Sequence, residues 1–360
     1  MVILSACKPS PSSEKKQETT NATAASVEIS ISTDPELATL FANQLWQQGL
    51  NALEVVQAES KLLQNSVKEL LAEPNDTTLS AAHAQWARTF LLYQELLPFL
   101  FIEHASLTPF LAEWRFTLAA WPLQPGYLDS YDIYIQSGIT NDITLPITLG
   151  SLRKQNGLTD AEEVTLGLYA IEYLLWGDKQ AVSPTRFLAQ NKVPLLFEQA
   201  GLKVNELPNN RRRQLLAIQI QLFTDDLSLL KKQWQARGAL NNLFTKLTSN
   251  DKLFALHNGL LTQLNEMEKL LAYKVEISES GVNKKSESAQ KNIYPDRFNK
   301  IRQQAIKKKL ASIQTLYFAN INVIAHNTKN TISLATLLLS PVEKQELALK
   351  IEDIKKQLTE

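Results

Sequence analysis

Cysteine is nearly absent from this 360-residue chain: Cys7 stands alone, which excludes a disulfide framework and a zinc site built on thiolates. Glycine (11) and proline (14) are sparse, so neither a collagen-like repeat nor a Pro/Gly-rich disordered chain fits. No apolar run reaches the roughly 18 residues that a membrane-spanning helix needs. Net charge is missing too, because 37 basic side chains are matched by 37 acidic ones. That removes the general electrostatic reason for holding a polyanion, and nucleic acid is not an expected partner. Valine is scarce beside leucine, which suits helices better than strands. The length suffices for a large core.

The charges that are present are unevenly placed. Residues 1–180 carry 10 basic and 21 acidic groups, whereas residues 181–360 carry 27 and 16. Opposed halves attract across an interface or leave a basic face free for an anionic surface. The clusters Arg211-Arg212-Arg213 and Lys307-Lys308-Lys309 fall in helical stretches without interleaved aromatics, and are expected to be solvated faces.

The first residues, Leu4-Ser5-Ala6-Cys7, resemble a bacterial lipobox, in which the cysteine becomes the lipid-bearing first residue. A secretory signal also needs a basic segment and an apolar run of about 7–15 residues, and neither precedes Cys7 here. The lipoprotein reading therefore places the true start upstream; the alternative is an accidental match in a cytoplasmic protein. Residues 8–33 are rich in Ser, Thr, Lys, Glu, Gln and Ala, the composition of a disordered tether.

From residue 34 onward the pattern is helical. Asp34-Pro35-Glu36 is a helix start, with a capping side chain, proline at the first helical position and an acid in the first turn. Its apolar periodicity runs to Pro74. Further helices are expected near 76–97, 106–121, 159–177, 206–236, 241–274, 295–326 and 342–358. The segment 159–177 opens on Thr159-Asp160-Ala161-Glu162, and 342–358 follows Ser340-Pro341-Val342-Glu343; both read as capping boxes. Residues 122–148 read as a long loop with a short strand at 131–135, and 275–293 as a polar, flexible linker. The expectation is an all-α chain: a tether over 1–33, then a helical domain over 34–360 in two bundle-like halves, about 34–205 and 206–360, packed together.

Familiar catalytic signatures are missing. No G-x-G-x-x-G, Walker A, G-x-S-x-G or H-E-x-x-H occurs, and His83, His104, His257 and His326 are too far apart in sequence to share one helical face. The informative stretch is Gly167-Leu168-Tyr169-Ala170-Ile171-Glu172-Tyr173-Leu174-Leu175-Trp176-Gly177. On a helix, residues three or four apart share a face, so Glu162, Thr165, Tyr169, Glu172 and Trp176 form a polar and aromatic stripe beside an apolar one. Glycine inside a helix costs about 1 kcal/mol against alanine, so Gly167 is read as having a packing or site-related reason. A carboxylate turned into the protein needs a cation or a donor. Glu172 therefore either pairs with an arginine such as Arg88 or ligates a metal.

This stretch resembles the signature of the imelysin family, also called the insulin-cleaving membrane protease or iron-regulated protein A family, whose hallmark is G-x-H-x-x-E followed by an aromatic, two leucines, Trp and Gly. Gly167, Tyr169, Glu172 and Tyr173-Leu174-Leu175-Trp176-Gly177 stand at those positions. Trp121-Pro122-Leu123 with Asp129, Trp86-Ala87-Arg88, and Arg211-Arg212-Arg213 followed by Leu215 are similar to other stretches of the family, over about 34–250.

The resemblance implies an all-helical fold of two bundle-like halves with the motif near their junction. It also implies a bacterial cell-envelope setting, often as a lipoprotein facing the periplasm (outer membrane expected), and a link to iron uptake. Tyr169 and Glu172 become the candidate metal ligands, supported by Arg88, Asp129, Trp176 and Gly167, with Cys7 as the lipid-anchor position. The departure is at the motif's centre, where Tyr169 replaces histidine. A phenolate is a harder donor that serves ferric iron. Either the site has moved toward Fe(III), or coordination is lost and no metal is held. A late Ser/Asp-rich segment of the family has no match either; residues 276–296 read as a polar linker instead. The leading expectation is a non-catalytic binding component of iron or metal uptake. The alternatives are a scaffold with a degenerate site that binds an envelope protein partner, and a metallopeptidase for which no nucleophile–base arrangement is seen.

Overall fold

In a computed structural model, residues 34–131, 133–177, 182–279 and 299–358 are described. The lipobox-like start, Cys7 and the tether lie outside them, as do residues 280–293 of the expected linker; residues 275–279 belong to a helix.

Local chemistry sets the helix starts. In α1 (Pro35–Ala72) the Asp34 side chain accepts the Glu36 N–H ahead of Pro35. In α2 (Asp76–Leu100) Asn75 and Thr78 form a reciprocal capping box, which satisfies two N–H groups that the helix itself leaves unbonded. Then come α3 (Thr108–Ala119), α4 (Leu149–Gln155), α5 (Gly167–Trp176) and the short α6 (Leu195–Gln199). The C-terminal part holds α7 (Pro208–Trp234), α8 (Ala239–Thr245), α9 (Ser249–Glu279), α10 (Asn299–Phe318), α11 (Leu334–Leu338) and α12 (Pro341–Gln357). Ser340 caps α12 by the box read from the sequence.

The protein is all-α, with one departure. A two-stranded antiparallel hairpin pairs β1 (Ile321–Ala325) with β2 (Thr328–Ile332), Ala325 opposite Thr328. The expected helix over 295–326 therefore stops at Phe318. His326 and Asn327 take left-handed backbone angles (φ 48° and 56°), the geometry of a two-residue turn joining twisted strands. Near 131–135, where a strand is expected, Tyr131 and Tyr134 form an isolated antiparallel bridge instead.

The described residues belong to one compact unit. α1 lies against both α2 and α7, so a single helix touches both sides of the boundary near residue 205. At the α1–α7 contact Trp46 and Trp234 stack with ring centres 4.1 Å apart, and each indole N–H donates to the other's backbone carbonyl, at 3.1 and 3.0 Å. Gly49 permits that approach, since a Cβ there would come within 2.8 Å of the Trp234 ring.

Candidate functional site

The motif helix α5 begins later than its sequence suggests. Thr159 bonds the Glu163 carboxylate in a turn rather than opening a helix. The N–H groups of Thr165 and Leu166 both go to the Asn156 side chain, which holds the chain extended. Gly167 then stands at the first helical position with φ +82°, not in the helix interior. A Cβ there would meet the Leu118 carbonyl oxygen at 2.5 Å, so this glycine lets α5 start directly against the end of α3.

α2 holds both ends of α5. Trp86 donates its indole N–H to the Leu168 carbonyl (2.8 Å), and the His83 ring reaches the Leu175 carbonyl (2.9 Å). His83 also stacks on Trp176 at 3.9 Å. From α7, Gln219 bonds the Thr165 carbonyl. Trp176 is thus part of the clamp at the helix's far end.

Glu172 is buried and faces Arg302 of α10, whose guanidinium donates to both carboxylate oxygens at 3.0 and 2.9 Å. The guanidinium lies over three rings, 4.8 Å from the centre of Tyr169 and 5.4 Å from those of Phe90 and Trp121, within the range of cation–π attraction. Burial pushes the Tyr169 phenol up, with Glu172 adding to the rise and Arg302 opposing it. The group is therefore a neutral phenol at ordinary pH.

The other predicted residues separate from this corner. Arg88 pairs with Glu59 of α1 at 2.6 Å and is largely exposed; the arginine that meets Glu172 is Arg302 instead. Asp129 is buried in a knot of its own. Arg212 binds both its oxygens (2.5 and 2.8 Å), Arg186 reaches it at 3.0 Å, and Thr140 and the Ser130 N–H also donate to it. Burial raises the Asp129 carboxyl, but Arg212 and Arg186 outweigh it and hold it below the ordinary 3.8.

The expected solvated face at 211–213 is overturned by the same contacts. Arg211 and Arg212 are buried, and Arg211 donates to the carbonyls of Ile139, Asp142 and Leu145. Arg213 binds those of Leu71 and Phe187. Arg211 and Arg212 tie the long loop down, because each guanidinium carries five donors in a fixed fork.

The donor set does not fit a resident iron. Tyr169 and Glu172 do share a face, but a guanidinium already takes both carboxylate oxygens. The phenol is biased toward its protonated form. Among the described residues no group of three or more His, Cys, Asp or Glu side chains is placed to hold a metal. Arg302 carries no local signal, because it lies 130 residues from Glu172 in sequence.

The comparisons with known proteins agree with this architecture. The family model described as Imelysin matches residues 49–360, and the chain belongs to the imelysin family. Its fold is similar to the crystal structure of an iron-regulated protein A precursor from Parabacteroides distasonis. The TM-score is 0.58 and the identity 15%, covering 90% of this chain and 85% of that one. No individually curated protein matches.

Proposed function

We propose that this imelysin-family chain is a non-catalytic binding component of the bacterial cell envelope, with an iron-related role and a lipid anchor on Cys7. The observation that carries the reading is the Arg302–Glu172 pair. The one acid of the motif is committed to a guanidinium, so it is neither a free general base nor an open ligand, and the site holds its charge among rings. Such a site recognises a ligand; it does not supply the base that peptide hydrolysis requires. The naming of the structural relative as an iron-regulated precursor supports an iron-related and exported role. No helix among the described residues is long and apolar enough to cross a membrane, and a lipid on Cys7 would supply attachment by another route.

The test is a titration of the purified protein with Fe(III), Fe(II) and Zn(II), beside Tyr169→Phe and Arg302→Ala. The expected result is no stoichiometric binding by the wild type and no hydrolysis of unlabelled casein. Removing Arg302 is expected to open a weak Fe(III) site with a tyrosinate-to-iron absorption band. That band in the wild type, lost in Tyr169→Phe, would reinstate direct ferric coordination by Tyr169 and Glu172. Incorporation of labelled fatty acid that disappears in Cys7→Ser checks the anchor.

A further inference from the structure

Beside the Arg302–Glu172 pair lies a cleft of about 420 Å³ between α2, α3, α5 and α10, within the roughly 300–1,000 Å³ typical of small-molecule sites. One wall is aromatic: Phe90, Phe101, Phe116, Trp121 and Tyr169. Among the described lining residues there is no carboxylate, yet three cations face the cleft: Arg302, Arg115 and Lys309. Arg302 is balanced by Glu172. The other two form no ion pair among the described residues, although the charges of Glu103 and Glu266 act on Arg115. Arg115 donates to the Leu100 carbonyl and rests over the Phe101 ring at 4.1 Å, which leaves guanidinium N–H groups over. Lys309 makes no hydrogen bond or ion pair among the described residues; burial pulls its ammonium down, and Glu266 of α9, an exposed side chain, opposes that. The expectation of a solvated lysine face therefore fails at this residue.

A third donor sits beside them. Tyr93 is 2% exposed, lines the cleft, and its hydroxyl has no hydrogen-bond partner among the described residues. Burial, together with the Tyr169 phenol, pushes it further into the protonated form, with Arg115 opposing, so it can donate. Here it shares a cleft with two under-used cations and a wall of rings.

We infer that this cleft binds a small amphipathic carboxylate, its anionic end received by Arg115, Lys309 and Tyr93 and its flat or aliphatic body laid against the aromatic wall. The inference rests on the binding reading above and names the ligand class of that region.

Calorimetric titration of the full chain with 2-naphthoate, beside its uncharged amide, tests it. One naphthoate per chain is expected, with the amide at least about tenfold weaker, a difference of roughly 1.4 kcal/mol. Lys309→Gln and Arg115→Gln should each weaken naphthoate about tenfold or more, and Tyr93→Phe a few-fold. Lys308→Gln, one residue along and paired with Glu95 outside this cleft, should leave the affinity unchanged. Arg115→Gln also removes a tie to Leu100, so Lys309→Gln carries the result if that variant unfolds. Equal affinity for acid and amide, an equal loss in Lys308→Gln, or no heat from the folded wild type would overturn the inference. Silence toward naphthoate with no casein hydrolysis removes only the ligand class, whereas casein hydrolysis removes the binding reading with it.

Discussion

Among the buried carboxylates that meet arginines, Asp129 and Glu172 stand in different settings. Asp129 is surrounded: two arginines from separate segments, a threonine hydroxyl and a backbone N–H saturate its oxygens, and it and Arg212 are about 5% and 4% exposed. Glu172 meets Arg302 on a helix remote in sequence, and that arginine also forms part of a cleft wall. The same pair of charges is a bolt where every lone pair is used inside the protein, and a wall of a site where one face is left toward a cavity. Burial alone does not distinguish them; Arg302 lines the cleft between α2, α3, α5 and α10, and Arg212 does not.

Breaking each pair should separate the roles. Asp129→Ala strands Arg212 and Arg186 without a counter-charge in the interior, and should cost about 3–5 kcal/mol, read as a lowered urea midpoint by circular dichroism. Glu172→Gln keeps the shape and one acceptor for Arg302. It should cost less, about 1.5–3 kcal/mol, while altering naphthoate binding; a loss as large as that of Asp129→Ala would erase the contrast.

Acid gives a finer cut. The folded Asp129 carboxyl lies below 3.8, so the unfolded chain takes up that proton more readily than the folded one. Its contribution is complete above the unfolded value near 3.8 and drains away as pH falls through the lower folded value. Stability measured from pH 5 downward should therefore fall more steeply in the wild type than in Asp129→Asn. The smallest effect is expected at Arg88. It is 68% exposed, though its partner Glu59 is buried, and Arg88→Ala should cost below about 1 kcal/mol with no change at Glu172. A ligand effect in that variant would join the surface shared by α1 and α2 to the site.

Legibility followed the range of the interactions. Caps at Asp34 and Ser340 were readable because cap and helix lie within three residues of each other, and Tyr169 with Glu172 because one helical turn joins them. The motif also fixed the family. Gly167 reads from the sequence as a helix-interior glycine, because its positive φ and the Leu118 carbonyl behind it are tertiary facts. The hairpin over 321–332 was hidden because His326-Asn327 has no glycine to mark the turn. Arg302, Arg115, Lys309 and Tyr93 carry no joint signal in the sequence, since faces of three helices, α2, α3 and α10, must assemble before they share a cleft.

The Trp46–Trp234 pair has an optical consequence. Two indoles stacked at 4.1 Å and inclined by 16° are close enough for their electronic transitions to mix, and the chiral arrangement then produces a signed doublet in circular dichroism. Because one indole belongs to α1 and the other to α7, that doublet reports whether these two helices remain in contact. It lies outside the residues lining the cleft, so the molecule carries its own spectroscopic gauge of assembly, readable while the cleft is titrated.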